Sequence, residues 1–282
     1  MLTMKRHWRI NNELGGNLVM ASLGDRMKQY ELVSRTHLIR RMPVVIRLDG
    51  CHFHTFTKGF EKPFDAVIMN SMIKTMTFLC QNIQGCVFGY TQSDEISLVL
   101  VDYKKLNSSA WYDNEVQKMC SVAASLCTLK FNNEFIEAVE LFRNNRVFVN
   151  QYAEYLYETF LSSYNKAIKL GATFDCRVFN IPKEDICNYI IWRQQDATRN
   201  SIQSLAQSVF SHKELHGLSC DKLQDKLFKE RDINWNNLEI YKKRGTACYN
   251  RGEEHSDWVV DFSMPIITQD RDYVNKHIFV GD

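Results

Sequence analysis

Asp49 and Asp94 stand 45 residues apart, one closing an apolar run and the other inside a polar tetrapeptide between two apolar runs. Two carboxylates beside one divalent cation, or bridging two, form the hard-oxygen arrangement that binds phosphates and supports in-line displacement at phosphorus. Glu95 adds a third acid next to the second. Turn chemistry gives a cheaper account of Asp94 and Glu95, because Asp is favoured in hairpin turns whatever the function. What the acids are for therefore depends on the elements that carry them and on their neighbours.

Pro43 to Leu48 is a β-branched apolar run that predicts a buried strand, with Asp49-Gly50 at its end. Val67, Ile68, Met72, Ile73, Met76, Leu79, Cys80 and Ile83 fall near helical spacing and predict an amphipathic helix over 65–83. Cys86–Tyr90 and Ile96–Val101 read as strands of a hairpin joined by Gln92-Ser93-Asp94-Glu95. A second helix carries Val116, Met119, Cys120, Ala123, Leu126 and Cys127 on one face, another covers 152–168, and a strand over 174–181 stops at Pro182. Strand, helix, strand, strand, helix, extra helix, strand is the βαββαβ order of a ferredoxin-like unit, hence an α+β fold. In such a sheet the strand ending at Asp49 and the hairpin holding Asp94 can be neighbours. Polymerase palms and nucleotide cyclases use this topology, although topology alone does not fix a function.

The rest of the chain reads as mainly helical, with long patterns over 184–210 and 219–230 and irregular or extended stretches over 233–240 and 249–267. The expected division is an extension over 1–20, a palm-like catalytic core over 21–182 and a mainly helical region over 183–282 packed on that core. Hydrophobic residues at 45%, charged residues at 24%, 12 Gly and 4 Pro describe a folded chain. A net charge of +2 leaves any nucleic-acid contact to local clusters of Lys and Arg. Nine cysteines without a C-x-x-C pair read as reduced thiols, not as a disulfide framework or a zinc site. No run reaches the ~18 apolar residues of a membrane span, so no membrane partner is expected. The first 20 residues resemble neither a signal nor a transit peptide, which gives a cytoplasmic address by default and leaves mitochondria open. His212 and His216 have a zinc-compatible i, i+4 spacing but no third ligand nearby, and read as exposed or capping residues.

The neighbours of the two aspartates decide between turn and catalysis. Arg47-Leu48-Asp49-Gly50-Cys51-His52-Phe53-His54-Thr55-Phe56 and Gly89-Tyr90-Thr91-Gln92-Ser93-Asp94-Glu95-Ile96-Ser97 resemble the R-x-D-G-x-x-F-H-x-F and G-x-S-D-E-x-S signatures of the tRNA-histidine guanylyltransferase-like family. Lys62-Pro63-Phe64-Asp65, Phe174-Asp175-x-Arg177 and Trp192-Arg193-Gln194-x-Asp196 follow in that family's order, so the resemblance runs from about Leu23 to Thr246. It implies a nucleotidyltransferase that extends RNA at its 5′ end. ATP or GTP activates a 5′-monophosphate end, the 3′-hydroxyl of an incoming nucleotide attacks it, and pyrophosphate is removed when the end carries a triphosphate.

By the same resemblance two Mg²⁺ ions are held by Asp49, Asp94 and the Gly50 carbonyl, with Glu95 and Lys62 also catalytic. Gly50, Cys51, His52, Phe53, His54, Lys62, Asp65 and Ser93 are expected to bind the nucleotide, Gly50 because a glycine lets backbone approach a triphosphate closely. Lys118, Arg193, Asn200, Lys242, Lys243 and Arg244 are the expected RNA contacts, and Arg193, Asp196 and Asn200 share one helix face at i, i+3 and i+7. The partners implied are the 5′ end of tRNA and further copies of the chain in a homotetramer.

Two departures from the family stand out: Glu115 just before Lys118, where a basic residue would suit phosphates better, and Cys51 where relatives often carry a larger residue. A third bears on substrate. Relatives acting on tRNA-histidine follow the Trp-Arg-Gln motif with His-Ile-Asn-Asn, whereas this chain reads Thr198-Arg199-Asn200-Ser201. That mismatch favours template-directed addition to the tRNA 5′ end over a single untemplated G. Rival readings are a palm-type nucleotide cyclase and a tRNA-binding protein that has lost catalysis.

Overall fold

The computed structural model describes residues 22–144, 154–252 and 257–281. The expected extension over 1–20 lies outside them. The chain divides into a unit ending at Thr36 and a much larger one over 37–282. In the first, helix α1 (Leu23–Leu32) starts from a capping box: Asp25 N–H donates to Ser22 Oγ, and Ser22 N–H donates to Asp25 Oδ2.

The second unit is built on a six-stranded sheet of order β4-β1-β3-β2-β5-β6, in which every neighbouring pair is antiparallel. The strands are β1 (Val44–Gly50), β2 (Cys86–Gln92), β3 (Glu95–Leu100), β4 (Phe174–Asn180), β5 (Thr246–Asn250) and β6 (Trp258–Asp261). The short α2 (Phe53–Phe56) and the longer α3 (Ala66–Asn82) connect β1 to β2, while α4 (Val116–Asn144) and α5 (Glu154–Leu170) lie between β3 and β4. Helices α6 (Lys183–Val209), α7 (His212–Leu215), α8 (Cys220–Arg231), α9 (Ile240–Arg244) and α10 (Asp272–Ile278) complete the chain. The stretch over 249–267, expected to be irregular or extended, contributes β6 and the end of β5. These two strands, which the sequence pattern did not assign to the sheet, widen it beyond β2.

Period-two alternation divides β1 between two cores. Val44, Ile46 and Leu48 pack with Met72, Met76 and Leu79 of α3 and with Met119, Ala123 and Phe131 of α4. Val45 packs on the opposite face with Ile186 and Ile190 of α6 and with Val274 of α10. Arg47 and Asp49 share the face of Val45, so the polar end of β1 looks toward α6. A third cluster joins the second half of α6, through Ile202, Leu205 and Ala206, to Leu223 and Leu227 of α8 and to Trp235. The long helix thus spans two cores, and the residues between them are free to line a cavity.

Candidate active site

The β2–β3 hairpin has a two-residue turn, Ser93-Asp94, closed by the pair Gln92↔Glu95. Ser93 has φ 51°, the left-handed conformation such turns demand. Gly50 N–H donates to the Asp94 carbonyl at 3.1 Å, tying the turn to the end of β1. Asp49 faces Glu95 across β1 and β3, and Asp175 across β1 and β4. Burial pushes the Asp94 carboxyl above the ordinary carboxylate range; the Ser93 hydroxyl, donating at 2.9 Å, opposes the rise and the charge of Asp49 adds to it. The two sequence-remote aspartates therefore meet at one sheet edge, close enough to disfavour each other's charge.

Beside this edge lies a cavity of about 470 Å³, within the range of small-molecule pockets. Phe53 and His54 line it after β1, Lys62 and Asp65 before α3, and Ser93 and Asp94 at the hairpin. Its far wall is Ala197, Asn200, Ser201 and Ser204 of α6, with Tyr241, Lys242, Gly245 and Thr246 closing the end. Asn200 and Lys242, expected at an RNA surface, are thus brought to the same cavity as the expected nucleotide contacts. Ser201 entered the sequence analysis only through the departure from His-Ile-Asn-Asn, and Ala197, Ser204 and Tyr241 carried no expectation; the helical spacing of Ala197, Ser201 and Ser204 was the available signal. Gly245 has φ 82°, and a Cβ there would lie 2.6 Å from the Thr91 carbonyl oxygen, so only glycine fits this corner.

Several expected site residues have other work. A Cβ on Gly50 would overlap the Phe53 ring, so aromatic packing by itself calls for a glycine there. The Gly50 amide is taken by Asp94 and the Cys51 amide by the Thr173 carbonyl at 2.8 Å, and neither residue, nor His52, lines the cavity. Phe53 is buried among Phe56, Phe131 and Phe174. Asp65 caps α3 by accepting from Ile68 N–H and also accepts from Tyr164 Oη at 2.7 Å, while burial raises its pKa.

Of the expected RNA contacts, two are buried and a third lies away from the aspartates. Arg193 is buried, its guanidinium on Glu95 at 2.6 Å and Asp196 at 3.1 Å. Lys243 is buried with its Nζ donating to the Asn236 carbonyl at 2.6 Å. Lys118 is exposed over the Tyr112 ring at 5.0 Å, in the segment that flanks the Val44 and Leu100 ends of the strands, away from the aspartates. Arg244 is half-buried, and its carbonyl accepts from Tyr90 Oη. His212 and His216 have ring centroids 6.0 Å apart, and no cluster of three or more His, Cys, Asp or Glu suited to a metal occurs among the described residues.

That last observation bears on Mg²⁺. A small hard cation keeps several waters and is bound through one or two carboxylates plus substrate phosphates, not by an all-protein cage. Asp94 lines the cavity that holds Lys62, and Asp49, at the end of β1, crowds its charge; the pair fits such an ion when a phosphate supplies the remaining oxygens.

An antiparallel sheet that delivers paired carboxylates to a nucleotide-sized cavity is the equipment of a nucleotidyltransferase, and this chain is an enzyme of that class. Residues 24–182 match the family model described as Thg1, tRNAHis guanylyltransferase, and the chain belongs to that family. A bacterial Thg1-like protein in complex with ATP is 42% identical, with a TM-score of 0.77 over 92% of this chain and 100% of that one. A bacterial Thg1-like protein in complex with GTP is 38% identical, with a TM-score of 0.72 over 91% and 99%. An uncharacterized protein of Acanthamoeba polyphaga mimivirus is 28% identical over 81% of this chain and 77% of its own length.

Proposed function

We propose that the chain is a template-directed 3′-to-5′ nucleotidyltransferase that repairs the 5′ end of tRNA, using ATP or GTP for activation and complementary nucleoside triphosphates for extension. The observation that carries this reading is the α6 wall of the cavity. Where relatives acting on tRNA-histidine have His-Ile-Asn-Asn, this wall has Thr198, Arg199, Asn200 and Ser201, of which Asn200 and Ser201 line the cavity beside the small Ala197 and Ser204. A wall of small side chains discriminates weakly among bases. Selection then falls to pairing with the opposite RNA strand, where each stacked pair supplies ~1.4 kcal/mol. The strand order β4-β1-β3-β2 is read as a ferredoxin-like palm.

In activation, an oxygen of the RNA 5′-phosphate attacks the α-phosphorus of ATP and pyrophosphate leaves. In extension, the 3′-oxygen of the incoming nucleotide attacks the RNA 5′-phosphorus and AMP leaves. Lys62 and Lys242 bring positive charge to the phosphates in the cavity, while His54 and Ser93 offer donors at its mouth. Asp49 and Asp94 would hold Mg²⁺, with the Gly50 carbonyl as a third oxygen. When bound, the ion neutralises phosphate charge and lowers the pKa of the attacking hydroxyl. Exposed Leu129, Ile136 and Leu141 on α4, with Tyr155 and Leu156 on α5, support assembly into a homotetramer, which light scattering would measure.

The deciding assay offers 5′-truncated tRNAs carrying each template base in turn, beside intact tRNA-histidine with a 5′-monophosphate. Template-directed repair gives addition of whichever nucleotide is complementary. Addition of G alone, only to tRNA-histidine and whatever the opposing base, would place the enzyme with the single-G guanylyltransferases.

A further inference from the structure

Glu95 sits next to Asp94 in sequence, yet the two carboxylates have different surroundings. Alternation along β3 turns Glu95 toward α6, where it is buried. Its Oε2 accepts from Arg193 at 2.6 Å, and its Oε1 accepts from Ser97 Oγ at 3.4 Å. Ser97 Oγ in turn lies 2.7 Å from Tyr189 Oη. Protein groups thus occupy both oxygens. Arg193 is equally committed: its second terminal nitrogen holds Asp196, the Trp192 ring lies 3.8 Å over its guanidinium, and Asp196 also takes Arg199 from the exposed side. Both side chains are buried, and of the Arg193 nitrogens only Nε is left without a hydrogen-bond partner. Four residues beyond Arg193, α6 begins its contribution to the cavity with Ala197, continuing through Asn200, Ser201 and Ser204.

We propose that Arg193 and Glu95 are paired positioning residues: their buried ion pair clamps α6 to the start of β3 and so fixes the nucleotide-binding wall relative to Asp94 and Asp49. The pair holds the two halves of the active site in register and takes no part in the bonds that form and break. This assignment rests on the nucleotidyltransferase reading of the cavity and goes beyond it, because it moves Glu95 from the reacting atoms to the scaffold.

The test compares wild type, Glu95→Ala, Arg193→Met, the double variant and Glu95→Gln. Each is measured for kcat and KM of nucleotide addition, for ATP affinity at equilibrium without RNA, and for thermal midpoint. A clamp predicts that each truncation loses about 100-fold in kcat and weakens ATP, and that the double variant is no worse than the poorer single, because one interaction is lost in all three. Glu95→Gln keeps an acceptor for Arg193 and a donor for Ser97, and should stay within about tenfold of wild type. A Glu95→Gln variant as inactive as Glu95→Ala overturns the proposal, as do additive losses in the double variant or near-normal kcat in Arg193→Met. Should Arg193→Met fail to fold, Glu95→Gln against Glu95→Ala still decides. If wild type adds no nucleotide to RNA, the proposed function fails, whereas the ATP affinities still score the clamp.

Discussion

At the scale of single residues, the acids at the sheet edge divide by what already satisfies them. Asp94 accepts from its neighbour Ser93 but is partly buried and crowded by Asp49, an arrangement that costs energy until a cation arrives. Asp49→Asn or Asp94→Asn is therefore expected to lower nucleotide addition on the order of 1,000-fold in Mg²⁺ while circular dichroism stays unchanged, since an amide keeps the shape and loses the charge. Near-normal turnover in either variant would remove that aspartate from the metal site. Lys62 lines the cavity, and its expected substrate is the phosphate used for activation. Lys62→Ala should then cripple 5′-monophosphate RNA and spare 5′-triphosphate RNA, which already carries a leaving group; equal loss on both would show that the lysine acts elsewhere. Gly50 was legible as special from sequence, and packing supplies a reason. Gly50→Ala drives a methyl into the Phe53 ring and is expected to lower stability by about 1–3 kcal/mol in urea denaturation.

At the scale of elements, α9 shows why a run of basic residues is not one surface. Its five residues make little more than one turn, so Lys242 points into the cavity and Lys243 points inward to Trp235 and the Asn236 carbonyl. Lys242→Ala should weaken nucleotide binding and leave the melting curve in place. Lys243→Ala should do the reverse, costing about 1–3 kcal/mol of stability because the charged hydrogen bond to the Asn236 carbonyl and the packing over Trp235 are lost. Helix α10 carries a titration of its own. His277 packs between Phe88 and Tyr249, and burial, with Lys276 and Lys104 adding to it, lowers its pKa to about 4. A histidine held neutral in the fold binds fewer protons there than in the unfolded chain. Its contribution is whole above the unfolded pKa of about 6.5 and is lost as pH falls from there through about 4. In urea melts over that window, wild type should lose stability more steeply on acidification than His277→Phe, and equal slopes would show that the imidazole does not titrate there.

At the scale of the whole molecule, a net charge of +2 gives no long-range pull on RNA, so association depends on the few cations that reach the surface near the cavity. Binding of tRNA should fall linearly in log–log form with salt, each neutralised phosphate contributing a slope of roughly −0.7 to −0.9. Lys242→Ala should remove about one such contact, and Lys243→Ala none. An unchanged slope in Lys242→Ala would move the RNA to another face.

The sequence by itself determined the order of elements from β1 to β4 and that Asp49 and the hairpin of Asp94 could meet, because alternation, helical period and turn residues are local signals that add up along the chain; its motifs pointed to the family. Residues 233–250 and 258–261 escaped it as strands and short helices, since runs of four or five residues carry too few repeats of any period to be told from loop. Only the tertiary structure decided which polar side chains face substrate. Arg193 and Asn200 share a helix and a motif, yet the first is sealed against Glu95 and the second opens on the cavity. The difference arises where α6 passes from the sheet to the third core. Whether a charge is buried and paired, or exposed and available, depends on what packs opposite it, and for Arg193 that partner lies 98 residues away in sequence.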